Sequence, residues 1–271
     1  MSEQIQEVAL TEEEKNSILS YCGPEPLLVG GQALAFWAVW FKIESPAELG
    51  DKVTTDADFV GSSKNARALN KQLHWTMWTP SLDDSTPQTA KLTKRVDYNG
   101  VKQIDFLHSI VGLDTKEIRK RAVAINLPPS SKISILHPVD VLTSRLKNLQ
   151  HLREKQNEVG VAQAHLAIKI TSAFLRTLLA APHRRELLTW VEHIARIALD
   201  KSLGNTLDQY GLDPLKSIPA GEIEVPEFQE KRWPQLIETA RAARESRANK
   251  AAQVLQPRCY RGAHTRERHP E

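Results

Sequence analysis

Residues 53–61 read VTTDADFVG, and this stretch indicates both a strand and a candidate site. Its side chains alternate between two faces, as they do in a β-strand. One face carries Val53, Thr55, Ala57 and Phe59, and the other carries Thr54, Asp56, Asp58 and Val60. The pattern therefore predicts a strand that presents Asp56 and Asp58 on the same side. A solvated strand face is the alternative interpretation of two such carboxylates.

A second acidic position follows in residues 90–110, AKLTKRVDYNGVKQIDFLHSI. Asn-Gly between alternating segments is typical of a β-hairpin, so two strands are predicted on either side of Asn99-Gly100. The second strand then has Gln103, Asp105 and Leu107 on one face. Asp105 is the candidate third carboxylate beside Asp56 and Asp58. The alternative for Asp105 is a cross-strand salt bridge to a Lys or Arg.

Three carboxylates on rigid strands suit a site for Mg²⁺ or Mn²⁺, because these hard cations prefer oxygen ligands. Two ions a few ångströms apart stabilise the attacking and the leaving oxygen in nucleotidyl transfer. We expect two ions here, both bound by Asp56 and Asp58. Asp105 would bind the ion that activates the nucleophile and act as its base.

A glycine pair supplies a candidate phosphate site. Residues 27–31, LLVGG, read as a short strand, and residues 32–43, QALAFWAVWFKI, read as a buried helix. Glycines before a helix let backbone N–H groups approach phosphate oxygens, and the helix N-terminus favours negative charge. Gly30 and Gly31 are therefore predicted to hold a triphosphate, with a plain turn as the alternative.

The rest of the chain predicts an α+β fold with a change of character near residue 135. Helices are predicted at 11–22, where Thr11 and Glu14 fit a capping box, and at 62–75. A loop is predicted at 76–89, a short helix or irregular edge at 114–125, and a strand at 132–136. From Pro138 onward the spacing is helical, with three long segments and an arginine-bearing helix from Arg232 to Lys250. The predicted divisions are 1–135, a helical domain at 136–253, and a basic tail at 254–271 with the composition of a disordered segment.

Composition and motifs exclude several classes of function. Formal net charge is +3, and two cysteines far apart form no disulfide framework or zinc pattern. The N-terminal stretch is acidic and no apolar run reaches the ~20 residues of a membrane span, so a cytoplasmic protein without membrane contact is expected. P-loop and GxSxG motifs are absent, as are closely spaced histidine pairs.

The ordered set of motifs resembles the nucleotidyltransferase superfamily, and within it the AbiE toxin-type and MenT-type proteins. The elements that carry the resemblance lie within residues 27–150: VGG (29–31), GGQAL (30–34), KVTTDADF (52–59) and IDF (104–106). Lys52 stands where these relatives usually have Arg, and Thr54 matches a family Thr. The resemblance implies a nucleotidyltransferase-fold mixed sheet with flanking helices, followed by an α-helical domain.

A further match lies in HPVDVLTSRLKNL (137–149), where Arg145 takes the position of a basic residue that faces the nucleotide in these relatives. Lys147 is a nearby substitute. Arg153 and Lys155 fit the start of the stretch that follows in the family, but the family Asp is missing after them. The resemblance implies that Lys52, Thr54, Arg145 and Lys147 join Gly30 and Gly31 in binding the nucleotide.

The implied activity is transfer of NMP from an NTP to an acceptor hydroxyl, in a toxin–antitoxin or phage-defence setting. The acceptor would be tRNA, or a protein side chain, and a cognate antitoxin protein is a possible partner. Arg241, Arg244 and Arg247 share one helix face and could contact RNA phosphates, or form an ordinary solvated face. The rival functions are a small-molecule (antibiotic-type) nucleotidyltransferase and a catalytically inactive binding module of the same fold.

Overall fold

The computed structural model describes residues 6–49, 54–81, 83–127, 131–180 and 182–255. The strands within these ranges are β1 (Gln6–Glu7), β2 (Leu27–Val29), β3 (Ala57–Val60), β4 (Thr76–Trp78), β5 (Gln88–Arg95), β6 (Gly100–Leu107), β7 (Val123–Leu127) and β8 (Ser131–Ile135). The α-helices are α1 (Glu12–Cys22), α2 (Gly30–Trp40), α3 (Ser63–Leu73), α4 (Thr115–Arg121), α5 (Pro138–His151), α6 (Glu158–Thr177), α7 (Arg184–Ala198), α8 (Gly204–Gln209) and α9 (Trp233–Leu255). The fold is α+β, as predicted, with a mixed sheet followed by a helical region.

The sheet has the strand order β4-β5-β6-β3-β2-β8-β7, with β1 paired to the start of β6. The pair β3 and β6 is parallel, whereas β5 and β6 are antiparallel. One face of the central strands is buried through Ala57, Phe59, Ile104 and Phe106, and the rings of Phe59 and Phe106 stack at 5.4 Å. Because side chains alternate along a strand, this apolar face leaves the neighbouring acidic residues on the opposite face.

The predicted hairpin is confirmed by the antiparallel register of β5 with β6. Its turn is longer than an Asn-Gly pair, since the last paired residues are Arg95 and Val101. The Asp97 carboxylate accepts hydrogen bonds from the backbone N–H groups of Asn99 and Gly100, and Gly100 already belongs to β6. A side chain that caps its own turn therefore fixes the loop, as Asp commonly does.

The glycine pair lies inside helix α2 and not in a turn before it. Strand β2 ends at Val29, and α2 begins directly at Gly30 and ends at Trp40, three residues earlier than the predicted helix. The indole Nε1 of Trp37 donates to the carbonyl oxygen of Leu136 at 2.8 Å, which ties the helix to the segment before α5. The predicted burial holds for only part of α2, because Val39 and Trp40 are exposed.

Other differences from prediction concern short strands. The loop predicted at 76–89 contains β4, whose three residues pair with β5 at the edge of the sheet. The ambiguous segment 114–125 resolves into α4 and then the start of β7, which pairs with β8. The strand predicted over 53–61 is shorter, since β3 starts at Ala57 and Val53 lies outside the described residues. Short edge strands carry too few residues for a clear alternation pattern.

Helix ends follow ordinary capping chemistry. Thr11 and Glu14 form the predicted capping box of α1, and Ser62 caps α3 in the same way with Asn65. The helical region begins at α5 with Pro138 in its first turn, three residues after β8 ends. One hydrophobic cluster runs from Leu10 to Ala240, through both sheet and helices. The change near residue 135 is thus a change of secondary structure, and the division into two domains stays a prediction.

Helix α9 is held against α8 by ion pairs. The Arg247 guanidinium binds the Asp208 carboxylate with its Nε at 2.6 Å, and Arg244 lies 3.1 Å from a carboxylate oxygen of Asp213. Arg241 pairs with Glu238, one turn earlier in the same helix. The predicted basic stripe is therefore neutralised by acidic partners within the chain. Residues 256–271, most of the predicted tail, lie outside the described residues.

Candidate functional site

The three predicted carboxylates converge at one place on the sheet. Asp58 of β3 is in direct register with Asp105 of β6, and Asp56 stands one residue before β3 begins. One carboxylate oxygen from each of Asp56, Asp58 and Asp105 lies within 4.8 Å of the other two. The parallel pairing of β3 with β6 brings Asp58 and Asp105 together, and Asp56 joins them from the residue before β3.

Helix α2 begins beside the cluster, and its first two residues have no room for a side chain. A Cβ atom on Gly30 would collide with the Asp58 carboxylate, and Gly30 has a φ of +65°. A Cβ atom on Gly31 would collide with Thr54. The residue before the helix is Val29, whose side chain cannot cap the first-turn N–H groups. These amides are the kind of donor that binds phosphate oxygens at a helix N-terminus.

Thr54 orients Asp56. Its hydroxyl donates to Oδ1 of Asp56 at 2.7 Å, and its side chain packs directly over Gly31. The predicted nucleotide-binding residue Thr54 therefore lies between the helix start and the carboxylates. Lys52, predicted for the same role, lies outside the described residues.

The electrostatics of the cluster are unfavourable for three free carboxylates. Burial, followed by the charges of Asp56 and Asp105, raises the pKa of Asp58 from 3.8 to about 7, against the opposing effect of Arg145 and Lys155. Burial also raises the pKa of Asp105, and this effect is opposed by the Lys91 charge and by a hydrogen bond from Gln103. A bound cation would relieve this crowding of negative charge.

Arg145 is buried on α5 with its charge acting on both Asp58 and Asp56. Burial lowers the pKa of Arg145, whereas these two carboxylates raise it. Its Nη1 donates to Gln163 at 3.1 Å and its Nη2 to Ser144 at 3.3 Å, but its Nε has no hydrogen-bond partner among the described residues. A buried guanidinium nitrogen without an acceptor is rare and is suited to an anionic ligand.

Lys147 is not brought to the carboxylates. Its ammonium donates to Asp200 at 3.2 Å, to Ser202 at 3.1 Å and to Gln150 at 3.1 Å. Two residues apart on an α-helix means about 200° of rotation, so Lys147 and Arg145 face opposite sides of α5. The structure therefore separates the two basic residues that the sequence offered for one role.

Several polar residues near the cluster carried no sequence signal strong enough to single them out. Gln88 and Gln103 each donate to the Asp105 carboxylate, and Lys91 lies 3.7 Å from it. This pair is the cross-strand salt bridge that the sequence offers as the alternative for Asp105. Lys155, noted in sequence only as a partial motif match, acts electrostatically on Asp58. Gln32, in the first turn of α2, is buried with its Nε2 unpartnered among the described residues. Gln103 shares a strand face with Asp105 by parity alone, but a two-residue turn at Asn99-Gly100 would set Lys94, and not Lys91, opposite Asp105.

The donor set fits a hard divalent cation. All three candidate ligands are carboxylates, they converge from rigid elements, and the buried unpartnered Arg145 nitrogen adds a place for an anion. A cleft of about 1390 Å³ lies elsewhere along α6, between residues such as Glu48, His165 and Lys216. The carboxylate cluster is the candidate site, because atoms that can bind a cation meet there.

Comparisons with known proteins add little. No family model matches the chain, and no curated protein matches it. A solved structure described as the crystal structure of JHP933 from Helicobacter pylori is similar at a TM-score of 0.33 and 10% identity, over 91% of this chain and 98% of that one. A likeness at this level supports no argument about fold or activity. In the part of the chain that is described, no helix has both the length and the apolar character needed to cross a membrane.

Proposed function

We propose that this chain is a metal-dependent nucleotidyltransferase of the nucleotidyltransferase fold, which transfers NMP from an NTP to an acceptor hydroxyl. The observation that supports it is the convergence of three carboxylate oxygens within 4.8 Å beside the start of α2. A triphosphate needs hydrogen-bond donors or positive charge, and its metal ion needs negatively charged oxygens a few ångströms away. Carboxylates suit the cation, and helix amides with a guanidinium suit the phosphates.

In this proposal Asp56 and Asp58 hold Mg²⁺ or Mn²⁺, which would neutralise the triphosphate when bound. Gly30, Gly31 and Arg145 bind the phosphates, and Thr54 keeps Asp56 in place. The acceptor oxygen attacks the α-phosphorus, and its proton passes to the Asp105 carboxylate. The new P–O bond forms as the bond to pyrophosphate breaks, and pyrophosphate leaves with the electron pair. Arg145 stabilises the developing negative charge.

The acceptor is proposed from the family resemblance alone, as tRNA in a toxin or phage-defence setting with a cognate antitoxin. The arginines of α9 give no support to RNA binding, because Arg241, Arg244 and Arg247 already have carboxylate partners. Both the NTP and the acceptor are therefore left for the experiment to identify.

The test is incubation of the protein with Mg²⁺, total tRNA and each α-³²P-labelled NTP in turn. We expect label on RNA for at least one NTP in the wild type, and none for Asp58→Asn. Asp83→Asn is the matched control, because Asp83 is an exposed aspartate outside the cluster. Label on the protein would replace tRNA with a protein acceptor. No labelled product of any kind, and no Mn²⁺-dependent NTP binding, would contradict the function.

A further inference from the structure

The three carboxylates of the cluster have unequal surroundings. Asp105 is nearly enclosed by donors: Gln88 Nε2 donates to its Oδ1 at 2.8 Å and Gln103 Nε2 donates to its Oδ2 at 2.5 Å. Within the described ranges, Asp56 receives one hydrogen bond, which Thr54 donates. Asp58 receives none from the described residues, although its carboxylate lies against Gly30. The carboxylates that accept the fewest hydrogen bonds from the described residues, and are therefore most available to a cation, are those of Asp56 and Asp58.

A positive charge also stands beside Asp105. Lys91 of β5 is directly opposite Asp105 in the antiparallel register, and Asp105 is in turn opposite Asp58. The side chains of Lys91, Asp105 and Asp58 thus form one row across three neighbouring strands. The Lys91 ammonium lies 3.7 Å from Oδ1 of Asp105, with 28% of the lysine side chain and 9% of the aspartate side chain exposed. Strand pairing fixes Lys91 and Asp105 as neighbours on one face of the sheet.

This row conflicts with a second metal ion at Asp105. An ion bound to Asp105 would lie about 2 Å from a carboxylate oxygen of that residue. It would therefore be close to the Lys91 ammonium, which pairs with the same carboxylate. Two cations so near each other in a partly buried place repel strongly. The amide donors and the ammonium already supply the stabilisation that an ion would provide.

We propose that Lys91 takes the place of the second metal ion, so that the cluster binds a single divalent cation, held by Asp56 and Asp58. Asp105 is then positioned by Gln88, Gln103 and Lys91 as the proton acceptor. This inference rests on the proposed function and revises the two ions that the sequence predicts. Lys91 is a positioning residue, since it acts through Asp105.

The test counts Mn²⁺ ions per chain by electron paramagnetic resonance of the free ion, on the metal-free full-length protein. We expect one ion in the wild type and two in Lys91→Met, because this change removes the positive charge that repels a second ion at Asp105. Lys91→Arg keeps the charge and should bind one ion. Lys94→Met is the matched control and should also bind one, since Lys94 lies on the opposite face of β5 and pairs with Glu14.

A second measurement locates the ions. Anomalous scattering from Mn²⁺ in crystals should place the wild-type ion at Asp56 and Asp58, and the additional ion of Lys91→Met at Asp105. The double variant Lys91→Met/Asp105→Asn should return to one ion.

The outcomes separate the two proposals. Two ions in the wild type, or one in a folded Lys91→Met, would overturn the role of Lys91 and leave the nucleotidyltransferase function standing if NTP turnover persists. No Mn²⁺ bound by the wild type would overturn both. Should Lys91→Met fail to fold, two ions in the wild type, or an ion at Asp105 in its anomalous map, would still overturn the proposal.

Discussion

The sheet and the helical region differ in how their charged residues are satisfied. At the edge of β3, Asp56 and Asp58 stand close together with few hydrogen-bond donors among the described residues, and burial with mutual repulsion raises the pKa of Asp58. In the helices, Lys147, Arg244 and Arg247 are each matched by a carboxylate of the same chain. Charges left unsatisfied by the fold indicate a ligand, whereas satisfied charges stabilise the fold. Arg145 is the exception on the helical side, with a buried Nε that has no described partner.

The strongest test of this contrast removes a carboxylate from the sheet. Asp58→Asn should lower NTP turnover by at least ~10²–10³-fold, the scale of losing a principal electrostatic contact. The same variant should be more stable than the wild type without metal, by about 1 kcal/mol or more, because it removes a crowded charge. Steady-state kinetics and urea unfolding in EDTA measure the two effects. A loss of both activity and stability would show that Asp58 serves the fold and not a ligand.

The glycine beside Asp58 gives the next largest effect. Gly30→Ala should destabilise the protein by about 2–4 kcal/mol, from left-handed backbone strain and from collision with the carboxylate. Gly211→Ala is the control, because Gly211 has a φ of +62° and open space where a Cβ atom would lie. It should cost only about 1 kcal/mol and leave NTP turnover intact. Equal costs in thermal unfolding would contradict the close packing at Gly30.

The two basic residues of α5 can be compared directly. Arg145→Met should reduce kcat about 10²-fold with little change in stability, because an apolar side chain replaces a buried charge. Lys147→Met should leave kcat unchanged and lower the free energy of unfolding by about 0.5–1 kcal/mol, since it loses the partner Asp200. If Lys147→Met is the inactive variant, the assignment of these two residues must be reversed.

A satisfied ion pair within the sheet region predicts a pH effect. Partial burial acts to raise the pKa of Glu14, but bonds from Lys102, the Thr11 backbone and Lys94 outweigh it and lower this pKa to about 2. A folded-state pKa below the unfolded value of 4.5 stabilises the fold above pH ~4.5, and this contribution is lost as the pH falls toward 2. Glu14→Gln should lower the free energy of unfolding by about 1 kcal/mol at pH 7. In this variant the free energy of unfolding should fall less steeply as the pH drops from ~4.5 toward 2. An unchanged pH dependence would mean that other groups dominate this pH range.

The smallest effect is expected from Arg241 of α9, and its neighbour Arg247 provides the comparison. Arg247→Gln should lower the free energy of unfolding by about 1 kcal/mol, because the bidentate contact with Asp208 joins α9 to α8. Arg241→Gln, whose partner Glu238 is in the same helix, should cost less than ~0.5 kcal/mol. Neither change should alter binding of total tRNA in a filter assay. Weaker tRNA binding by both variants would restore the basic stripe as an RNA contact.

The sequence by itself determined much of this protein. Period-two alternation predicted the side shared by Asp56 and Asp58, and Asn99-Gly100 predicted the hairpin that carries Asp105. It also predicted the main helices, the capping of α1 and the change to helices near residue 135. These features depend on neighbours within a few positions, so local pattern is sufficient to find them.

Only the tertiary structure decided which charged groups have a partner of opposite charge and which do not. The parallel register of β3 with β6 set Asp58 against Asp105, and the turn of α5 sent Arg145 toward the cluster and Lys147 toward Asp200. It also placed Lys91 beside Asp105 and gave the arginines of α9 their partners. Pairing between residues far apart in sequence has no local signature, because any Lys or Arg meets any carboxylate equally well until the chain is packed.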